Sequence, residues 1–298
     1  MWPSRTNRSE PADRPRTGPV LIHALDGFLN AGAAPRIAAE QLSGGSGELV
    51  HRFELDDFYD YRARRPFITF REDHYAEYED PRLEVVRHTD LDGQAYLLLS
   101  GPEPDFRWEA FVEELLEVIE DQDVSLTLGL GAVPMGVPHT RPPMITAHGT
   151  RPELVDRTNL WKAEVRVPSS MQSLLEWRLA EQGLDGAGYV VHVPHYLAQM
   201  EFPQAALALL EAVTDRLGLR LDLEELRALR AEAIAQIEEQ IAAQDGEDVL
   251  SGLEAQYDAF TRGAAQSLLA DDSEIPSGEE LAQEFEQFLA RERKDDGD

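Results

Sequence analysis

From Val20 to Leu217 the chain alternates short apolar runs with amphipathic segments, and this alternation limits the fold more than any other feature. Runs too short to cross a membrane must be buried strands, and amphipathic segments between them must be helices laid over a sheet. The pattern therefore predicts an α/β protein, a three-layer α/β/α mixed sheet. Strands are expected at Val20–Leu25, Leu49–Leu55, Phe67–Arg71, Leu83–Thr89, Ala95–Ser100, Val124–Leu130, Met144–Ala147, Ala163–Val167 and Tyr189–Val193. Asp92–Gly93 favours a tight hairpin turn, which makes one strand pair antiparallel. Helices are expected at Gly32–Leu42, Phe106–Asp121, Ser169–Gln182 and Pro203–Leu217.

The pattern changes at Leu221, dividing the chain into an arm, a core and a tail. Residues 1–19 hold four prolines and several charges but no apolar core, so they read as a disordered arm and not as a signal peptide. Residues 20–220 form the α/β core. Residues 221–298 carry 22 acidic and 6 basic side chains, net −16 of the chain's −30. Their spacing predicts a helical hairpin, with Leu250, Leu253, Tyr257, Phe260 and Ala264 in one stripe. A terminal amphipathic helix is predicted over Leu281, Phe285, Phe288 and Leu289, entered through the capping-box spacing of Ser277–Glu280. The stripe offers more apolar face than one neighbouring helix needs, so a homo-oligomer, such as a trimer, is expected.

Charge and composition exclude several function classes. A net charge of −30 repels phosphate backbones and anionic headgroups, so neither nucleic acid nor a membrane surface is an expected partner. No run of about 18 apolar residues occurs, so no span is predicted. Cysteine is absent, which removes disulfides, thiolate metal sites and a cysteine nucleophile, and suits a cytoplasmic protein.

The most catalytic-looking stretch is Gly129–Arg141, read as a glycine-rich loop leaving a buried strand. Its candidates for a ligand or partner are Gly129, Gly131, Met135, His139 and Arg141, with Asp26 and Asn30 after the first strand. Loops at the carboxyl ends of α/β strands hold ligands, and backbone N–H groups with Arg141 could hold an anion. Against this, Pro134, Pro138 and Pro142 remove donors and no P-loop lysine is present. A packed or partner-binding loop is the competing reading. Ser100–Gly101 lacks a nucleophile elbow, and His192 and His195 lack a third ligand in register. No catalytic residue, metal or cofactor is therefore expected. Asp56–Pro66 mixes aromatics with a basic cluster, and Tyr59, Tyr61, Arg62 and Arg65 form a candidate contact patch.

Three stretches, LIHALDGFLNAG from Leu21, DDFYDYRARRP from Asp56 and GLGAVPMGVPHTRP from Gly129, together resemble the proteasome assembly chaperone two family in its bacterial branch. The tail motifs at Gly252–Asp258 and Pro276–Leu281 are similar to that branch's helical tail. The resemblance implies a phosphorylase/hydrolase-like α/β/α domain, self-association, and an ATP-independent role in assembling proteasome subunits, with no catalytic residues. Protein partners, proteasome subunits among them, follow from it. The chain closes on Lys294–Asp298 without the hydrophobic-tyrosine-X ending that docks into proteasome rings, so docking by that route is not expected. The alternative function is an enzyme or binder for a small anionic or nucleoside-like ligand at Gly129–Arg141.

Overall fold

A computed structural model describes residues 16–45, 47–157, 159, 164–243 and 246–269, with side chains through 263. Most of the expected N-terminal arm and the whole terminal helix at 281–289 lie outside these residues. The described residues fall into two compact units, one ending at Glu254 and one beginning at Ala255.

The first unit is built on a seven-stranded sheet. Its strands are β1 (Val20–Asp26), β2 (Glu48–Arg52), β5 (Glu84–Thr89), β6 (Ala95–Pro102), β7 (Leu126–Met135), β8 (Ile145–Gly149) and β9 (Gly186–Pro194), in the order β2-β5-β6-β1-β7-β9-β8. The central four, β6, β1, β7 and β9, are parallel. The edges pair antiparallel. Between β2 and β5, β3 (Ile68–Arg71) and β4 (His74–Tyr78) form a separate two-stranded sheet.

Parallel neighbours need crossovers, and the intervening segments are the helices α1 (Ala34–Leu42), α2 (Trp108–Asp121), α3 (Met171–Glu181) and α4 (Pro203–Leu217). The two-residue period of each strand decides which helix it meets. Ile22 and Ala24 of β1 face α1 and α4, while Leu21 and Leu25 face α2 and α3. Each buried leucine or phenylalanine contributes about 1.5–3 kcal/mol, so these two clusters hold the three layers together. The mixed α/β/α sheet expected from the alternation is the fold observed.

α5 (Glu224–Ala243) packs on α4 and places Leu226 and Ile237 in the core of the α1/α4 layer. α6 (Glu247–Leu269) follows. No helix among the described residues is long and apolar enough to cross a membrane.

Three local expectations need correction. Gly129–Met135 is not a loop: β7 runs on to Met135 and pairs with β9 throughout. The expected strand at Ala163–Val167 is absent at 164–167, where Val165 and Val167 are 59% and 72% exposed and no neighbouring strand pairs with them. The first part of Leu49–Leu55 is strand, but Leu55 begins a short 3-10 turn.

Candidate functional site

Chain direction creates a crevice position between β1 and β6. β1 leads into α1 on one face, whereas the adjacent parallel strand β6 leads into α2 on the other. Strand pairs whose connections diverge in this way leave a cleft outside their carboxyl ends. A cavity of about 420 Å³ opens there, lined by Asp26 and Ala24 of β1, Arg36, Glu40 and Ser43 at α1, Tyr59, Arg64 and Arg65, and Ser100 of β6.

Arg64 organises this edge. Its guanidinium donates to the carbonyls of Asp26 (3.1 Å) and Glu103 (2.5 Å) and pairs with the Asp105 carboxylate at 2.6 Å. It lies over the Tyr59 ring, 4.8 Å from the centroid, while the Tyr59 hydroxyl donates to the Arg64 carbonyl at 2.6 Å. A planar fork of donors suits this work better than an ammonium group would. Burial pushes the Tyr59 hydroxyl above its ordinary pKa, keeping it a donor.

Glu103 joins three more segments. One carboxylate oxygen accepts from the Phe28 amide (2.7 Å), and the other from the Met171 amide at the start of α3 (2.6 Å). The second bond sets a negative charge at a helix N-terminus, where unpaired N–H groups favour it. The first requires glycine at position 27, because a Cβ there would overlap the Glu103 side chain.

Between β1 and β7 the corresponding gap is filled by the chain itself. β1 pairs with β7 only over Val20–His23. Beyond that point the Leu29 carbonyl accepts from Ala132 N at 2.8 Å, and Asn30 forms a parallel bridge with Ala132. Asn30 donates to Asp26 at 2.5 Å, which brings those two candidates together at the mouth of the crevice.

The other candidates are placed elsewhere. Gly129 and Gly131 are buried strand residues, and Met135 closes β7. His139 is buried, with Nδ1 2.8 Å from the Tyr196 hydroxyl, and burial lowers its pKa. Gln204 donates to the carbonyls of His139 and Arg141, and Arg141 pairs with Glu254 at 3.2 Å. Neither Asn30 nor Arg141 lines the 420 Å³ cavity, although Asp26 does.

The sequence model of the PAC2 family matches residues 24–242, which takes in the end of β1 and every later strand of the main sheet. The chain belongs to the PAC2 family. It is similar to a Mycobacterium tuberculosis protein of unknown function, Rv2714, with 45% identity and a TM-score of 0.79 over 82% of this chain and 86% of that one. It is also similar to the M. tuberculosis proteasome-assembly chaperone homologue Rv2125, with 26% identity and a TM-score of 0.69 over 75% of this chain and 95% of that one. A PAC2 family protein from Streptomyces avermitilis is 28% identical, TM-score 0.68, over 78% of this chain and 99% of that one. No curated protein matches significantly.

In this PAC2 family member the segments leaving β1 and β6 carry exposed aromatic side chains. Phe28 is 58% and Phe106 51% exposed, and Tyr61, Arg62 and Arg65 are also exposed, whereas Tyr59 is buried beneath Arg64. Burial and a hydrogen bond with Asp56 push the Tyr61 pKa up to about 12. Sequence reasoning selected Tyr59 from this stretch but missed Arg64 and Glu103. Nothing in a run of Arg62, Arg64 and Arg65 marks which guanidinium turns inward. His192 bonds Thr146 at 2.9 Å, and no cluster of three metal-capable residues occurs among the described residues.

Proposed function

We propose that this PAC2 family member is a non-catalytic protein-binding protein of the proteasome-assembly chaperone kind, acting in the cytoplasm without ATP. Family membership over residues 24–242, with likeness to a protein described as a proteasome-assembly chaperone homologue, is the observation that carries this reading. The geometry supports it: Arg64, Glu103 and His139, the groups that could serve chemistry, are engaged in holding loops and helix ends. Proteasome subunits are the expected partners, and the chain's −30 charge steers it toward basic surfaces on them. Capture of the tagged full chain from its own cell extract, with and without crosslinking, should enrich proteasome subunits. Capture that never enriches one overturns the assembly role.

A second reading rests on the 420 Å³ crevice, in which Arg65 makes no ion pair among the described residues. It would take a small anionic or nucleoside-like ligand there, displaced from the Gly129–Arg141 position that the sequence suggested. Calorimetric titration with inorganic phosphate and with a nucleoside tests it, and heats abolished by Arg65→Ala would support it.

A further inference from the structure

The charges that line the crevice between β1 and β6 do not all find partners within the fold. Three arginines and two carboxylates border the 420 Å³ cavity. Arg64 is engaged with the Asp105 carboxylate and with two carbonyls. Arg36 pairs with Glu40, and also with Glu201 outside the lining, at 2.5 Å each. Asp26 and Arg65 remain. Asp26 Oδ1 accepts from Asn30, while Asp26 Oδ2 and the whole Arg65 guanidinium have no hydrogen bond or ion pair among the described residues. The two side chains border one cavity and carry opposite charges, yet no ion pair joins them. The buried part of the lining is apolar, made by Ala24, Ala39 and the Tyr59 ring.

This pair of unanswered charges decides what kind of ligand fits. An anion alone would answer Arg65 but leave Asp26 unmet, and it would have to enter the repulsive field of a chain of −30. A cation alone would be drawn in by that field, only to meet three arginines in the lining. A molecule that carries one charge of each sign answers both groups and is not repelled, because its net charge is zero. Hydrogen bonds to ionised groups are about twice as strong as neutral ones, and they strengthen further where apolar walls displace water. The cavity volume also falls within the range of about 300–1,000 Å³ usual for small-molecule sites.

We propose that the β1–β6 crevice binds a small apolar zwitterion, its ammonium group on Asp26, its carboxylate on Arg65 and its body against Ala24, Ala39 and Tyr59. An amino acid and a short peptide held by both ends share this chemistry. The inference rests on the crevice reading above and narrows its anionic ligand to one that carries a compensating ammonium group.

Calorimetric titration of the full chain at pH 7 tests the assignment, with leucine, leucyl-leucine, N-acetyl-leucine, leucinamide and inorganic phosphate as probes. Leucine or leucyl-leucine should bind about tenfold or more tightly than the singly charged N-acetyl-leucine and leucinamide. The tighter of the two zwitterions tells whether a free amino acid or the ends of a peptide fill the site. Arg65→Ala should lower the affinity for the zwitterion to that of leucinamide. Asp26→Asn, which keeps an acceptor for Asn30, should lower it to that of N-acetyl-leucine. Should Asp26→Asn fail to fold, the exposed Arg65→Ala reads the same contrast by itself. Arg227→Ala on α5, outside the lining, should change nothing. The proposal is overturned if neither zwitterion binds at concentrations up to about 10 mM, or if a singly charged form binds as tightly. Zwitterion binding that survives both lining variants, or that is lost with Arg227→Ala, overturns it equally. Phosphate bound in place of the zwitterions overturns it while leaving the anionic crevice reading intact, whereas no heat from any probe, a nucleoside included, removes both.

Discussion

The two faces of the main sheet are made by the same strands yet held by different chemistry. Toward α1 and α4 the central strands present Ile22, Ala24, Leu128, Leu130, Tyr189, Val191 and Val193, all buried, with Ala34, Ala38, Ala205 and Ala206 letting the helices approach closely. Toward α3 the same strands present His23, Gly129, Gly188 and His192. There Gln172 of α3 lies over Gly129, which a Cβ would drive into Gln172 Nε2 and to 2.6 Å from His23 Cε1. His148 pairs with Glu176 at 2.6 Å beside Gly188. His23 Nδ1, Gln172 Nε2 and His192 Nδ1 are buried without partners among the described residues. One face is thus fixed by volume, the other by small residues that admit polar groups into a buried layer. Burial lowers the pKa values of His23 and His192, His23 to about 3 with the charge of His148 adding to the effect.

The largest effect expected from breaking this contrast is on the apolar face. Leu130→Ala removes a fully buried side chain and should cost about 2–5 kcal/mol in denaturant unfolding. A loss under about 1 kcal/mol would show that this layer collapses easily, and that the volume argument is wrong. On the other face an added side chain should do the harm. Gly129→Val should cost about 1–3 kcal/mol through overpacking against Gln172 and His23, and Gln172→Ala in the same chain should recover part of it.

The pH dependence should separate the faces next. His23 is neutral when folded down to about pH 3, whereas the unfolded chain takes up its proton near pH 6.5. The unfolded state therefore binds more protons between those values, and stability is present above pH 6.5 and falls as pH drops through the window. One such histidine contributes at most about 1.4 kcal/mol per pH unit. His23→Leu should flatten the decline between pH 6.5 and 5, and an unchanged slope would place the titration elsewhere. The smallest effect belongs to Glu176→Gln. The His148–Glu176 pair is partly exposed, so its loss should change stability by less than about 1 kcal/mol, and less again in high salt.

The order of elements was legible because period and burial coincide: α2 shows its apolar stripe, and Asp92–Gly93 turns where expected, with Gly93 at φ +85°. The misreadings arise where that link fails. Gly129 and Gly131 look like a loop because glycine usually marks one, yet both lie in β7, where Gly129 makes room for Gln172 and His23. Val165 and Val167 have strand character but no ladder to join. β4 was missed because His74 and Glu77, three apart in HYAEY, break the two-residue alternation that marks a strand, and its partner, β3, lies outside the main sheet. In the candidate site, Asp26 and Asn30 were legible as residues following the first strand. Arg64 and Glu103 were not, since their importance lies in backbone groups distant in sequence.

Glu103 and Gly27 carry a consequence for how such a chain can drift in sequence. The carboxylate that receives the Phe28 and Met171 amides occupies the volume a side chain at position 27 would need. Neither residue is therefore free to change alone. Gly27→Ala displaces the carboxylate from two backbone donors, and shortening Glu103 strands the same donors while Gly27 keeps a freedom that no longer serves anything. The two positions should diverge as a pair: a relative with a larger residue at the first should carry a short or uncharged one at the second, with another acceptor at the start of the helix corresponding to α3. In an alignment of such relatives, frequent large residues at the first position beside an intact glutamate at the second would show that the loop has a second way to fold.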